Sequence, residues 1–174
     1  MEFTKIIASS IATLDSNVYI GGGTDVTSIL QSILDKAGNE KGIHLVMDGA
    51  ALITGLDLNS NTTIECLSKD CGFFLKDGSD RSLIDLKERS YTERLTRNVT
   101  IIGGTYNHNN KGQQHHVPIT DERYRFGIKG ISDDMGASRL VVAFEFFGVE
   151  DLVIKDITIR NQRAWSMMCV NFKN

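Results

Sequence analysis

One short phrase returns three times along this chain and limits what it can fold into. Asn61-Thr62-Thr63-Ile64 recurs as Asn98-Val99-Thr100-Ile101 and again as Asp151-Leu152-Val153-Ile154. Each copy opens on a short polar residue and continues with β-forming residues. The last two run on in parallel, Ile102-Gly103-Gly104-Thr105-Tyr106-Asn107 against Lys155-Asp156-Ile157-Thr158-Ile159-Arg160. With starts at positions 61, 98 and 151, the spacings are roughly two coils each, the second with an insertion, if a solenoid coil takes about 20–30 residues. A phrase that returns at variable spacing predicts stacked strands joined by side loops of unequal size.

The rest of the chain supports that reading. Gly21-Gly22-Gly23 leads into Val26, Ile29, Leu30, Ile33, Leu34 and Ala37 at steps of three and four, which predicts an amphipathic helix over about 25–37, started by Asp25 or Thr24 and ended by Gly38. No Gly-Lys-Ser/Thr follows the glycine triplet, so it is not read as a phosphate loop. After the helix come Ile43–Met47, Leu52-Ile53-Thr54, Leu56-Asp57-Leu58, Thr62–Cys66 and Phe73-Phe74-Leu75, short apolar runs divided by Gly and Asn. Polar excursions are expected near 77–97 and 107–138, followed by strands at 140–147, 151–159 and 165–170. Ala143 and Met167 are expected to stack in register. The predicted class is all-β: one partial domain over 1–174, a right-handed parallel β-helix with coils from about 43, capped by the helix ahead of them. No closing element is visible after Asn174, so the solenoid is expected to be C-terminally incomplete, with further coils of a parent chain as its partner.

Composition narrows the functions. Of 174 residues, 24% are charged and the net charge is −3, so there is no basic excess to neutralise phosphates, and no nucleic-acid partner is expected. No apolar run approaches the ~18 residues of a membrane helix, and no membrane partner is expected. Ile6–Ala12 follows Glu2 and one lysine, too short and too weakly cationic for a secretory signal. Cys66, Cys71 and Cys169 match neither a zinc spacing nor a redox Cys-x-x-Cys.

The arrangement resembles the pectin-lyase-like right-handed parallel β-helix proteins, and within them glycoside hydrolase family 28, the polygalacturonase-like enzymes. Four segments carry the resemblance: Gly23–Ala37, Leu56–Ile64, Asn98–Tyr106, and Phe146 to Asn174 with Ile157-Thr158-Ile159-Arg160-Asn161 and Trp165. It implies an inverting acid/base hydrolase of acidic plant polysaccharides, with a periplasmic or extracellular location. The family's catalytic Asn-Thr-Asp, Asp-Asp, Gly-His-Gly and Arg-x-Lys are not found in matching context. Asp133-Asp134 follows Ser132 in a polar excursion, and no role is transferred to it. By this resemblance the chain is the N-terminal part of such an enzyme, its catalytic coils are missing, and no catalytic residue is assigned. The alternatives are a non-catalytic β-helix carbohydrate-binding or phage adhesin protein, or a polysaccharide lyase.

Inversion needs two carboxyl groups about 6.5–9.5 Å apart with water between them, and no carboxylates are expected on adjacent strands of one face. Glu145 reads as a single exposed or paired position. The substrate-binding candidates are Arg160, Gln162, Arg163 and Trp165, in the turn before the last strand. Arginine pairs with a uronate carboxylate and tryptophan offers an apolar face to a sugar ring. The plainer account is a packed corner tryptophan with solvated arginines. His108 is a further candidate, for hydrogen bonds to sugar hydroxyls. His115 and His116 share its loop, but adjacent imidazoles on extended backbone point apart, so no metal and no cofactor are expected.

Overall fold

A computed structural model of the chain describes residues 2–119 and 138–174. Asp133-Asp134 and most of the second predicted excursion lie outside the described residues. The first half contains strand β1 (Glu2–Ile7), helix α1 (Thr27–Leu34) and strands β2 (Lys41–Met47), β3 (Ala50–Ile53), β4 (Leu56–Leu58), β5 (Thr62–Cys66) and β6 (Gly72–Leu75). The second half contains β7 (Ile84–Leu86), β8 (Thr96–Ile102), β9 (Thr105–Asn107), β10 (His116–Pro118), β11 (Ser138–Leu140), β12 (Phe144–Lys155), β13 (Thr158–Arg160) and β14 (Met167–Lys173). The strand β7 falls inside the segment expected to be an excursion.

The repeated phrases lie side by side. Thr62 pairs with Val99 and Val99 with Leu152, all in parallel register. Asn61, Asn98 and Asp151, which open the phrases, have φ of 62°, 56° and 57°. Asn and Asp tolerate this left-handed region better than other side-chain-bearing residues, so the backbone corner explains the recurring residue type. The corner is also tied across strands: Asn98 Nδ2 donates to Asn61 Oδ1 at 2.9 Å, and Asn61 Nδ2 donates to the Gly38 carbonyl at 2.8 Å.

The predicted right-handed solenoid is overturned. The parallel strands curl into a half-barrel rather than winding a clear solenoid, and about 9% of the described residues are helical. An eight-stranded sheet runs β1-β2-β5-β8-β12-β7-β4, with β14 also on β12, and a four-stranded sheet runs β13-β9-β6-β3. The curl has a local cause in β12. Its Phe144 and Glu145 pair with β7, the chain bends at Gly148 (φ 80°), and Val149 to Lys155 pair with β8. One strand therefore belongs to two directions of the same sheet.

Two further expectations change. The helix does not precede every strand, because β1 comes first and pairs with β2. It closes the β4 edge instead: the Gln31 carboxamide accepts from the Asp57 N–H and donates to the Asp57 carbonyl, both at 2.9 Å, doing for β4 what a neighbouring strand would do. At the far edge, Met167 pairs with Phe144, not Ala143, a shift of one residue. Ala143 nevertheless stays in the core that Met167 packs against.

Between the sheets lies a core containing Val26 just ahead of α1, Leu30 and Leu34 of α1, and Leu45, Ile64, Val99 and Ile101, all buried. Phe73, Tyr106, Phe144 and Phe146 form an aromatic chain with successive centroids 5.5, 5.0 and 5.9 Å apart. Each such side chain contributes on the order of 2–3 kcal/mol by burial. Gly72 (φ 135°) sits where β6 meets β9, and a Cβ there would collide with the Thr105 carbonyl oxygen. The segment before α1 folds over the smaller sheet, held by buried Asn107, whose Nδ2 donates to the carbonyls of Val18 at 2.9 Å and Tyr19 at 3.3 Å. Cys66 and Cys71 are free and buried, and burial pushes the Cys66 thiol up to about 12.

Candidate functional site

Three triplets of the same form, Leu56-Asp57-Leu58, Ile84-Asp85-Leu86 and Phe144-Glu145-Phe146, lie on neighbouring parallel strands. Their flanking apolar residues are all buried in the core. The period of two then sends the three acids to the opposite face, where they line up in register: Asp57 against Asp85, Asp85 against Glu145, and Glu145 against Met168 of β14. This column was not expected, because Asp85 lay in a stretch read as loop.

Arginines from outside these three strands pair with the column. Arg81 Nη2 reaches Asp57 Oδ1 at 2.5 Å. Arg89 bridges two rungs, Nη1 to Asp85 Oδ2 at 2.7 Å and Nη2 to Glu145 Oε2 at 2.6 Å. Arg139 Nη1 reaches the other Glu145 oxygen at 3.2 Å. The Arg89 guanidinium lies 4.5 Å from the centre of the Phe147 ring, which Tyr91 meets edge-on. Asp85 is 0% exposed and Glu145 4%. Both carboxylates are thus turned to guanidinium partners inside the protein. The column is a ladder of ion pairs running across β4, β7 and β12.

The sequence-predicted residues occupy the neighbouring turn. Arg160, Gln162 and Arg163 are exposed, and Trp165 is 54% exposed, so the packed-corner account of the tryptophan does not describe it. The turn is fixed by its backbone: the Trp165 carbonyl accepts from Ala143 N–H at 3.0 Å and the Ser166 carbonyl from Phe144 N–H at 3.1 Å. Arg160 places its guanidinium 5.3 Å from the centre of the Tyr19 ring.

His108 is placed differently from the expectation. It is fully buried, and its ring binds the protein rather than facing solvent. The Arg163 N–H donates to Nδ1 at 3.1 Å, which leaves Nε2 as the protonated nitrogen, donating to the Arg81 carbonyl at 3.1 Å. Burial lowers its pKa from 6.5 to about 4, so the ring is neutral near pH 7. His108 thus connects the exposed turn at Arg163 to Arg81, and through Arg81 to Asp57 at the head of the column. Among the described residues, no group of three or more His, Cys, Asp or Glu side chains could hold a metal ion. Among them also, no helix is long and apolar enough to cross a membrane.

Compared with known proteins, the chain matches no family model, no curated protein and no solved structure.

Proposed function

We propose that this chain supplies a polysaccharide-binding face to a hydrolase of the polygalacturonase-like kind, with the hydrolytic acids lying outside the chain. One observation carries the reading: Trp165 is largely exposed on a turn clamped at both Trp165 and Ser166, with exposed Arg160, Gln162 and Arg163 beside it. A tryptophan face stacks on a sugar ring, and exposed guanidinium groups pair with uronate carboxylates. A rigid backbone limits the entropy lost when the turn engages a polymer. In the intact enzyme, the resemblance implies general acid/base hydrolysis with inversion.

Titration of the chain with polygalacturonate fragments and with neutral galactan fragments tests this. Binding of the acidic polymer is expected, weakened at least tenfold in Trp165→Ala and in Arg163→Ala. Equal affinity for neutral polymer, or variants that bind like the parent, would remove the basis for the reading. The non-catalytic alternative, a carbohydrate-binding or adhesin-type protein, is favoured by the arginine clamps on Asp57, Asp85 and Glu145. Release of reducing sugar by the full-length product of the gene separates the two.

A further inference from the structure

His115 and His116 do not point apart. Their Nδ1 atoms face each other at 2.8 Å, with ring centroids 4.4 Å apart, and both residues are exposed. The reason lies in the backbone around them. His116 begins β10, whereas His115 precedes it, so the alternation of a strand does not apply across the pair. Hydrogen bonds to Lys76, Asp80 and Val141 hold the segment. Buried Gln113 donates from Nε2 to the Lys76 carbonyl at 2.9 Å and accepts at Oε1 from the Asp80 N–H at 2.7 Å. The Gln114 N–H donates to Asp80 Oδ1 at 2.7 Å. The His115 carbonyl accepts from Val141 N–H at 3.1 Å, and Val117 is buried. Two imidazoles are thus presented to solvent by a fixed segment.

We propose that His115 and His116 form a bidentate site for a divalent transition-metal ion of the copper(II) or nickel(II) type. The 2.8 Å separation is that of a hydrogen-bonded pair, and it favours the class that needs the smallest movement of the two rings. At a metal–nitrogen distance of about 2.0–2.1 Å, a 2.8 Å separation subtends about 85–90°, whereas a tetrahedral zinc site would need nitrogens about 3.3–3.4 Å apart. An angle near 90° belongs to tetragonal coordination, which copper(II) and nickel(II) adopt with nitrogen and oxygen ligands. In the metal-free pair, one Nδ1–H donates to the other Nδ1. On binding, the donating ring moves its proton from Nδ1 to Nε2, so that both Nδ1 lone pairs reach the metal and no net proton is released. Water fills the remaining positions.

The test uses the full chain, free of any affinity tag and treated with chelator, titrated with copper(II) and followed by calorimetry and electron paramagnetic resonance. One equivalent is expected to bind, with a tetragonal signal split by two nitrogens. His115→Ala and His116→Ala are each expected to weaken binding at least tenfold, and His44→Ala to leave it unchanged. Each variant's thermal melt shows whether it is folded, and His116→Gln offers a second route if the alanine variant is not. Absence of stoichiometric binding, a signal that survives in both folded variants, or a tetrahedral zinc site of higher affinity would each overturn the proposal. None of these outcomes depends on polysaccharide binding.

Discussion

Two columns of polar side chains cross these parallel strands, and they are built on opposite principles. Asn61, Asn98 and Asp151 sit at corners in the left-handed region, where the backbone selects the residue type, and two of them join through a neutral amide hydrogen bond. Asp57, Asp85 and Glu145 sit within strands, where the backbone conformation does not select them, and they depend on guanidinium groups, with Arg89 joining Asp85 four residues away to Glu145 on another strand. Glu145 meets Arg89 across a sequence separation of 56, and Asp57 meets Arg81 across 24. A local demand leaves a repeating mark in the chain. A long-range partnership leaves none, yet removing one partner of a buried pair is the more damaging change.

The largest expected effect tests that asymmetry directly. Arg89→Ala leaves Asp85 and Glu145 buried with part of their charge uncompensated, and it should cost about 3–5 kcal/mol. The urea midpoint measures this, and a loss below that of Asn98→Ala would reverse the ranking of the two columns. Second comes acidity, acting through His108. The unfolded chain takes up a proton near 6.5 and the folded chain only near 4, so unfolding binds a proton in between. Stability is therefore fully present above pH 6.5 and falls as pH drops towards 4, by up to about 3 kcal/mol from this group. Melting curves across that window should show the slope, and His108→Gln should remove it.

The third expectation concerns the neutral column. Asn98→Ala forces alanine to φ 56° and deletes the bond to Asn61, for about 2 kcal/mol in total. Asn98→Gly relieves the backbone and should lose only about half of that, so a chemical denaturation series of both variants separates conformation from hydrogen bonding. The smallest effect belongs to a charge pair outside either column. Lys87 and Asp35 are 2.7 Å apart but 47% and 38% exposed in their side chains, and Lys87→Ala should cost less than about 1 kcal/mol, vanishing in high salt. A larger, salt-independent loss would show that burial does not explain the difference between Arg89 and an ordinary surface pair.

The same contrast governs what could be read from the amino acids alone. The parallel pairing of the phrases beginning at 61, 98 and 151 was legible because each corner needs Asn or Asp. The helix was legible from its apolar period, although 35–37 form a closing turn rather than a third helical turn. The half-barrel was not legible. Its curl depends on β12 changing partners at Gly148, and one glycine in an apolar run carries no such instruction. Nor was β1 anticipated, although Thr4 and Ile6 alternate with polar or exposed residues as an edge strand should. Of the candidate binding residues, Arg160, Gln162, Arg163 and Trp165 are exposed, whereas His108 is buried. The three apolar-acid-apolar triplets were the missed signal. They were visible as soon as Ile84-Asp85-Leu86 was compared with Leu56-Asp57-Leu58, and length alone had hidden the short strand.

The amide of Asn107 that grips Val18 and Tyr19 spans separations of 89 and 88 in sequence. Such distant closures form late, because the intervening chain must first be ordered. On the ribosome, the N-terminal loop emerges early and then waits for its anchor to be translated. Nascent chains stalled before residue 107 should be clipped by protease around Tyr19 and Ile20, and chains carrying that asparagine should resist. Equal cutting in both would mean that the loop settles without its latch.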